Sequence, residues 1–246
     1  MPRTLRSAAL FAALLLGSLA GRAHAQIGPA PTPIPWPLGA PIPAVTANDT
    51  SGILQYTPCQ PVVTDANGNT VFIGFCLFVI QFLQPGDAAF MSWPQTYSGG
   101  APVPPGVYFV NGVPYDVGAT DAALLPLGRP FVGAERHVQL SAPSQPDALY
   151  VLAASATATT GVPLGCGQSF PLDFDALLLQ SIAPSNVFLD FIGQLDAFGN
   201  TYAPAIHVPA IPSLSGSPLF LGFMTFDPTA PCGVGVVSEA VKTVIV

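Results

Sequence analysis

The chain has 246 residues, of which 50% are hydrophobic and only 8% charged. Three of its six basic residues, Arg3, Arg6 and Arg22, lie at the amino terminus, and the remainder has three basic against 13 acidic side chains, a net charge of about −10. This charge excludes a nucleic-acid-binding protein, because binding to phosphates requires a basic surface. The apolar content excludes a disordered chain.

Residues 1–25 have the pattern of a secretory signal peptide: a basic start, an apolar run over 8–20 and the small-x-small site Ala-His-Ala at 23–25. The run is shorter than the roughly 20 residues that span a bilayer, so a membrane anchor is the weaker alternative. We expect a mature chain of about 220 residues without a transmembrane segment. We expect it in the periplasm, at the cell surface or in the medium.

Residues 26–44 are rich in proline, which favours extended or polyproline II backbone and removes amide donors. We expect a stiff linker here. Docking of a proline-recognising partner through Trp36 is the alternative.

Residues 57–83 predict a β-hairpin, because Asn67-Gly68 between β-branched runs favours a two-residue primed turn. In that register Cys59 lies opposite Cys76 in a non-hydrogen-bonded pair, with its Cβ atoms close to disulfide distance.

Four cysteines allow three pairings, and an exported chain favours disulfides over free or metal-bound thiols. The hairpin register selects Cys59 with Cys76, which leaves Cys166 with Cys232.

The second strand of this hairpin, 70–83, is apolar on both faces, which is typical of a strand in the middle of a sandwich. We therefore expect it to be buried. A bulge at Gly74 would shift the register on which the Cys59–Cys76 pairing depends.

Short apolar runs between turn residues predict an all-β protein of two β-sandwich modules, residues 45–130 and 131–246. One short helix is expected over 173–180. The turn at 196–201 repeats the turn at 65–70 in all but one residue, which predicts a second hairpin built with the same turn chemistry. Strands are predicted at 52–56, 61–64, 70–83, 88–93, 106–110, 113–117, 136–140, 148–157, 187–194, 202–208, 219–226 and 234–246.

The motifs PGD at 85–87, SWPQT at 92–96, GG at 99–100 and VPPGVY at 103–108 follow one another in the first module. Over residues 45–118 this order resembles the bacterial Ig-like module of the bacillary intracellular proteinase inhibitors and, in related form, that of flagellar hook-capping proteins.

The resemblance implies an Ig-like sandwich in which Trp93 packs in the core and Pro105-Gly106-x-Tyr108 begins a strand. Pro94 departs from the family, which commonly has an acidic or amide residue there, and an intracellular inhibitor would lack the disulfide. No reactive-site residue can be matched, so inhibition does not carry over.

The C-terminal part, 134–246, contains IPSLSGSPLFLGFMTFDP and ends in SEAVKTVIV. It is similar to the C-terminal β-module of many secreted proteins of planctomycetes and related bacteria. That similarity implies a β-sandwich and no particular activity.

A catalytic set is missing from the sequence pattern. His137 and His207 are the histidines outside the leader, and neither lies in a hydrolase signature. The two histidines are far apart in sequence and the cysteines are expected in disulfides, so these residues do not predict a zinc site. We predict no catalytic residue, no metal site and no cofactor, and hence a protein that is not an enzyme.

Oxygen-bearing residues give weaker signals. Asp65, Asn67 and Asn69 alternate as in calcium loops, but the glycine comes too early and no later carboxylate follows. Asp173 and Asp175 are expected on a solvated edge.

Three aromatic side chains, Trp36, Tyr97 and Tyr115, are candidates for binding sugars at the surface. Asn48-Asp49-Thr50 is a glycosylation sequon.

The sequence therefore predicts a secreted, non-enzymatic β-sandwich protein with a structural or adhesive role at the cell envelope or outside it. The alternative is a binding module, proteinase-inhibitor-like or carbohydrate-binding. Its partner would be a protein or a glycan at the cell surface.

Overall fold

The computed structural model describes residues 31–48, 50, 52–76, 79–85 and 87–246. The leader predicted over 1–25 lies outside these residues. Pro33–Val246 forms one compact unit, and the other unit, Met1–Thr32, falls almost entirely outside the described part.

Almost all of the regular structure is β, as the sequence pattern predicts. The first strands in chain order are β1 (Ile34–Trp36), β2 (Ile42–Ala47), β3 (Leu54–Tyr56), β4 (Val62–Asp65), β5 (Thr70–Ile73), β6 (Gln81–Leu83), β7 (Ala88–Trp93), β8 (Gly106–Val110), β9 (Val113–Val117) and β10 (Ala123–Pro126). They are followed by β11 (Glu135–Ser141), β12 (Leu149–Ser155), β13 (Val162–Gly165), β14 (Gln168–Phe170), helix α1 (Ala176–Ser181), β15 (Phe188–Leu189), β16 (Ile192–Gln194), β17 (Asn200–Thr201), β18 (Ala205–His207), β19 (Pro218–Phe226), β20 (Val234–Val237) and β21 (Val241–Val244). Two 3-10 turns cover Pro212–Leu214 and Pro231–Gly233.

The first sheet has the order β1-β9-β8-β4-β5 and packs over one apolar cluster. Trp36 and Trp93 are fully buried in that cluster, beside Tyr108 and Tyr115. The ring centroids of Trp93 and Tyr108 lie 5.3 Å apart, a tilted aromatic contact.

The expected proline-rich linker is wrong from Ile34 onward, because that segment supplies an edge strand to this sheet. β1 pairs in parallel with β9, and the missing amide of Pro35 is tolerated at an edge. Trp36 explains why this segment joins the sheet. Burial of its large ring in the core stabilises the segment there. Its Nε1 also donates a hydrogen bond to the Ala40 carbonyl at 3.1 Å.

Gln95 holds this segment in place from inside the core. The side chain is buried; its Nε2 donates to the carbonyls of Pro37 and Ala40, and its Oε1 accepts from the Gly39 amide. The buried side-chain amide of Gln95 thus satisfies backbone groups of a segment whose prolines cannot donate to a regular ladder.

The predicted hairpin is the outer part of a longer one, which we call the arm (residues 42–93). At its base β2 pairs with β7, further out β3 pairs with β6, and at its end β4 pairs with β5. A bridge between Cys59 and Cys76 lies between the last two pairs and is closed by a disulfide.

The turn at the end of the arm differs from the expected two-residue loop. The Asp65 amide donates to the Asn69 carbonyl, which leaves three residues in the loop with Gly68 at φ 81°. Asp65 Oδ1 accepts the amides of Asn67 and Asn69, which favours this turn over the primed one. The pairing shifts by one residue between Val63 and Thr64, which restores the predicted Cys59–Cys76 register.

Gly74 is not the bulge. It stays in register, and a Cβ there would come within 2.6 Å of the Gln60 backbone carbonyl, so the close approach of the two strands requires glycine. By contrast Asn111-Gly112 forms the two-residue turn expected of the pair, with both residues at positive φ between Val110 and Val113.

The C-terminal half contains two further sheets, with the orders β10-β11-β18-β15 and β16-β12-β19-β20. β17 joins the first through β11, and β21 joins the second through β19. Their inner faces share the largest apolar cluster, which includes Leu140, Leu152, Leu221 and Phe223. A β-sandwich core of this kind agrees with the predicted fold class.

The turn at 196–201 repeats the hydrogen bonds of the arm turn. The Asp196 amide donates to the Asn200 carbonyl, and Asp196 Oδ1 accepts from Phe198 and Asn200. The expected second hairpin is nevertheless wrong, because β16 before the turn pairs with β12 and β17 after it pairs with β11. The same turn here carries the chain from one sheet to the other.

Several predicted strands are shorter or interrupted in the structure. The run 70–83 is broken between β5 and β6, 187–194 divides into β15 and β16, and 234–246 into β20 and β21. The strands β1, β2, β10, β13, β14 and β17 are not among those predicted from the sequence. Cys166 and Cys232 form the second disulfide, as expected from the pairing.

Removal of either disulfide should destabilise the protein, and the longer loop should cost somewhat more because the entropy of loop closure rises with the logarithm of loop length. In the chain-entropy model, Cys59→Ser/Cys76→Ser, with a separation of 17, costs about 3 kcal/mol, and Cys166→Ser/Cys232→Ser, with a separation of 66, costs about 4 kcal/mol. Urea unfolding of the two double variants measures both losses. A larger loss for the Cys59–Cys76 variant would contradict the loop-size account.

Candidate functional site

The two histidines lie close together on an exposed face, around one glutamate. The register of β11 and β18 places Glu135 opposite His207, and His137 Nε2 lies 3.6 Å from Glu135 Oε1. His137 Nδ1 contacts the Tyr202 carbonyl at 3.1 Å. Within the described residues neither histidine hydrogen-bonds to a serine, threonine or cysteine side chain, so the cluster offers no activated nucleophile of the familiar kind.

The carboxylates considered as metal ligands are used in turns. Asp65 Oδ1 accepts two amides, and its Oδ2 accepts the side-chain amide of Asn69 at 3.0 Å. Across residues 31–48, 50, 52–76, 79–85 and 87–246, no three His, Cys, Asp or Glu side chains come together as metal ligands would.

Asp173 and Asp175 support the segment before helix α1 and its first turn. Asp175 is the N-cap of the helix, accepting from the Leu178 amide at 2.8 Å. Asp173 accepts amide and hydroxyl bonds from both Thr159 and Thr160. Asp173 keeps the expected solvated position, and both carboxylates in addition cap local backbone amides.

Hydrogen bonding strongly favours the charged form of Asp173. Donation from the Thr157 hydroxyl, and from the amide and hydroxyl of Thr160, holds the pKa of Asp173 well below its ordinary value of 3.8.

The residues of the proposed core motif meet around the start of β8. Trp93 Nε1 donates to the Thr96 carbonyl at 2.8 Å, and the Tyr108 hydroxyl donates to the Pro104 carbonyl at 2.9 Å. β8 begins at Gly106, whose φ is 152°. Pro105 packs against Gly118, where a Cβ would approach it to 3.0 Å.

The expected sugar-binding aromatic set is wrong for two of its three members. Trp36 and Tyr115 are buried and pack edge to face, with ring centroids 5.7 Å apart. Burial raises the pKa of the Tyr115 hydroxyl to about 12. Tyr97 alone keeps an exposed ring.

Asn48, the acceptor of the sequon, is fully buried. Its Nδ2 donates to the carbonyls of Gly52 and Leu83 at 2.7 and 2.8 Å, and its Oδ1 accepts from the Thr50 hydroxyl. In this arrangement the side chain ties the two strands of the arm together and is not available for a glycan.

The middle of the arm exposes large apolar side chains, which contradicts the expected burial of the strand 70–83. Ile73, Phe75 and Phe82 are 68%, 60% and 62% exposed. With their exposed neighbours on the arm they form what we call the arm patch: Val62, Ile73, Phe75, Val79, Ile80 and Phe82.

Strand pairing accounts for part of this exposure. In the described chain the sheet of β3 and β6, which carries Phe82, contains these two strands and no others, and Ile73 lies on β5, at the edge of the first sheet. Ile73 and Phe75 are two residues apart and share a face, and Val62 lies across the ladder from Ile73. A short apolar run cannot reveal whether a covering layer exists, so the sequence pattern missed this surface.

Comparison with known proteins adds no family. No family model matches the chain, and no curated protein matches it. Among solved structures, a crystal structure of red sea bream transglutaminase has a TM-score of 0.24 and 8% identity, covering 87% of this chain and 30% of that protein. The chain thus spans less than a third of that protein's length, and a likeness this weak supports no conclusion.

In the part of the chain that the structure describes, no helix has the length and apolar character needed to cross a membrane.

The low pKa of Asp173 predicts acid sensitivity. A carboxylate whose pKa is depressed by folding stabilises the protein above its unfolded pKa of 3.8, and this contribution is lost as the pH falls toward the folded pKa. Asp173→Asn should therefore reduce stability at neutral pH and flatten its decline below about pH 4. Urea unfolding at a series of pH values, with Asp121→Asn as the control, measures this; parallel profiles for Asp173→Asn and the wild type would contradict it.

Loss of the Asn48 side chain should loosen the arm. Asn48→Ala removes the side-chain hydrogen bonds to the Gly52 and Leu83 carbonyls from a fully buried position, which costs about 1–3 kcal/mol. Thermal and urea unfolding measure the loss, and Asn186→Ala at an exposed position is the matched control. Equal stability of Asn48→Ala and Asn186→Ala would show that the Asn48 side chain does not stabilise the arm.

Proposed function

We propose that this is a secreted, non-enzymatic β-sandwich protein with a structural or adhesive role at the cell envelope or outside it. The arm patch is the observation that carries the proposal. Soluble chains rarely leave several large apolar side chains in water along one element unless that element is a contact surface. The two disulfides support an oxidising, extracytoplasmic compartment.

The charge distribution favours a second copy of the chain as the partner. Between Gly52 and Gln84 the sole charged side chain is Asp65, at the end of the arm, whereas the whole chain has a formal net charge of −7. Two acidic molecules repel each other unless the surfaces that meet lack charge. The outer part of the arm, 52–84, comes near to that condition with Asp65 as its one charged side chain, and it offers apolar area for burial.

The backbone of the arm favours the same partner. β3 and β6 pair only with each other in the described chain, so each has an outer edge without a strand. Such edges pair with strands of other chains, and two identical arms can pair antiparallel about a two-fold axis.

We also propose that residues 45–118 are related to the bacterial Ig-like module. The contact between Trp93 and Tyr108 and the start of β8 at Gly106 support this relationship. A glycan-binding role has less support, since Trp36 and Tyr115 are buried.

Self-association through the arm is directly testable by sedimentation velocity on the mature chain with both disulfides intact. The wild type should show a sedimentation coefficient that rises with concentration, and added salt should strengthen association by screening the repulsion. Phe75→Ser/Phe82→Ser should remain monomeric, because it removes two exposed rings from the arm patch without opening the core.

The control is Phe174→Ser/Phe198→Ser, which changes two phenylalanines of the C-terminal half that are somewhat more exposed than Phe75 and Phe82. It should associate like the wild type. A wild-type protein that sediments as a monomer at every soluble concentration, or equal association of both double variants, would overturn the role assigned to the arm.

A further inference from the structure

A second apolar feature lies in the C-terminal half, at one end of the β-sandwich. A cavity of about 390 Å³ opens there between the two sheets. Its volume falls within the roughly 300–1,000 Å³ of small-molecule sites. It is lined by Ala156, Leu177, Gln180, Val187, Phe188 and Ile206, and by further residues that include Val208, Leu214, Ser217, Leu219 and Ile245.

The floor of the cavity belongs to the rigid core. Phe188, Ile206, Val208 and Leu219 are buried members of the main apolar cluster, contributed from both sheets. Their positions are set by strand pairing, because Phe188 lies opposite Ile206 in the ladder of β15 and β18. The floor of the cavity is therefore set mainly by strands, whereas its rim comes from other elements.

The rim is formed by short elements that leave apolar side chains partly exposed. Leu177 comes from helix α1, Leu214 from the 3-10 turn and Ile245 from the end of the chain. The Ile245 carbonyl accepts the Gly216 amide and its own amide donates to Ser217, which closes one side of the mouth.

The residues that line the cavity disfavour a charged ligand. None of the residues that line the cavity is charged, and Gln180 and Ser217 supply its polar side chains. Water held in a cavity needs two to four polar partners, which this floor lacks, and a charged group would be buried without a partner. The cavity therefore suits an apolar guest better than water or an ion.

We propose that this cavity binds the aliphatic part of a small uncharged molecule with a neutral hydrogen-bonding end. The aliphatic part occupies the floor formed by Phe188, Ile206 and Leu219. The neutral end remains at the mouth, within reach of the Gln180 amide and the Ser217 hydroxyl. This site is separate from the arm patch, with which it shares no residue.

Titration of the disulfide-bonded mature chain with the neutral fluorophore N-phenyl-1-naphthylamine tests the proposal. We expect saturable binding at one site, displacement by 1-dodecanol, and weaker displacement by dodecanoate because its carboxylate has no cationic partner. Leu177→Trp fills the mouth and should weaken binding about tenfold or more.

Leu179→Trp is the matched control, since Leu179 lies on the same helix, is exposed and does not line the cavity. It should bind as the wild type does. Leu214→Trp narrows the mouth from the opposite element and serves if Leu177→Trp fails to fold; circular dichroism checks each variant.

Three results would overturn the proposal. They are the absence of saturable binding to the wild type, unchanged binding to both rim variants, and loss of binding in Phe75→Ser/Phe82→Ser, which would place the fluorophore on the arm. Because the last variant also tests self-association, a failure of the arm proposal and a failure of the cavity proposal are distinguished in the same set of proteins.

Discussion

The antiparallel ladder of the arm, held at its middle by the Cys59–Cys76 disulfide, is the constraint on which the N-terminal half depends. Both ends of the arm are buried: Trp93 packs in the core at its base, and Val63 packs there near its end. Between them only two strands run side by side. An isolated two-stranded ribbon is marginal in water, so a covalent cross-link and the Asn48 hydrogen bonds compensate for the missing third strand.

This arrangement explains how one low-charge sequence makes two different apolar surfaces. On the arm, apolar side chains are exposed on the paired strands β3 and β6 and on the neighbouring edge strand β5. In the C-terminal half, apolar side chains from both sheets and from short elements line a cavity. The first surface lies along paired strands of the arm, whereas the second lines a cavity.

Hydrogen bonds of single polar side chains hold the irregular segments between these sheets. Gln95 binds the proline-rich segment, Gln139 Nε2 donates to the Pro41 carbonyl at 2.8 Å, and Asp173 caps the loop before helix α1. Each replaces backbone bonds that prolines and turns cannot make. The low number of charged residues is thus compatible with a well-defined fold, because neutral and capped polar groups provide the specificity.

Local chemistry made much of the fold predictable from sequence. Alternating apolar residues and Asn-Gly turns predict the strands β7, β8 and β9. The residue pairing along the predicted hairpin predicts both disulfides. The arm turn shows the limit of that reasoning: the Asp65 carboxylate selects a three-residue loop, and a compensating shift near Val63 restores the cysteine register. The sequence of a turn by itself does not show which sheets its flanking strands join, as the turn at Asp196 demonstrates.

The sequence alone determined that this chain is a disulfide-bonded, acidic, all-β protein, because composition, periodicity and turn residues act over a few positions. Only the tertiary structure decided which apolar residues are covered. Trp36 became core and Phe75 became surface, although both lie in segments whose patterns indicated the opposite. Burial depends on layers contributed by distant parts of the chain, which a local sequence pattern does not show.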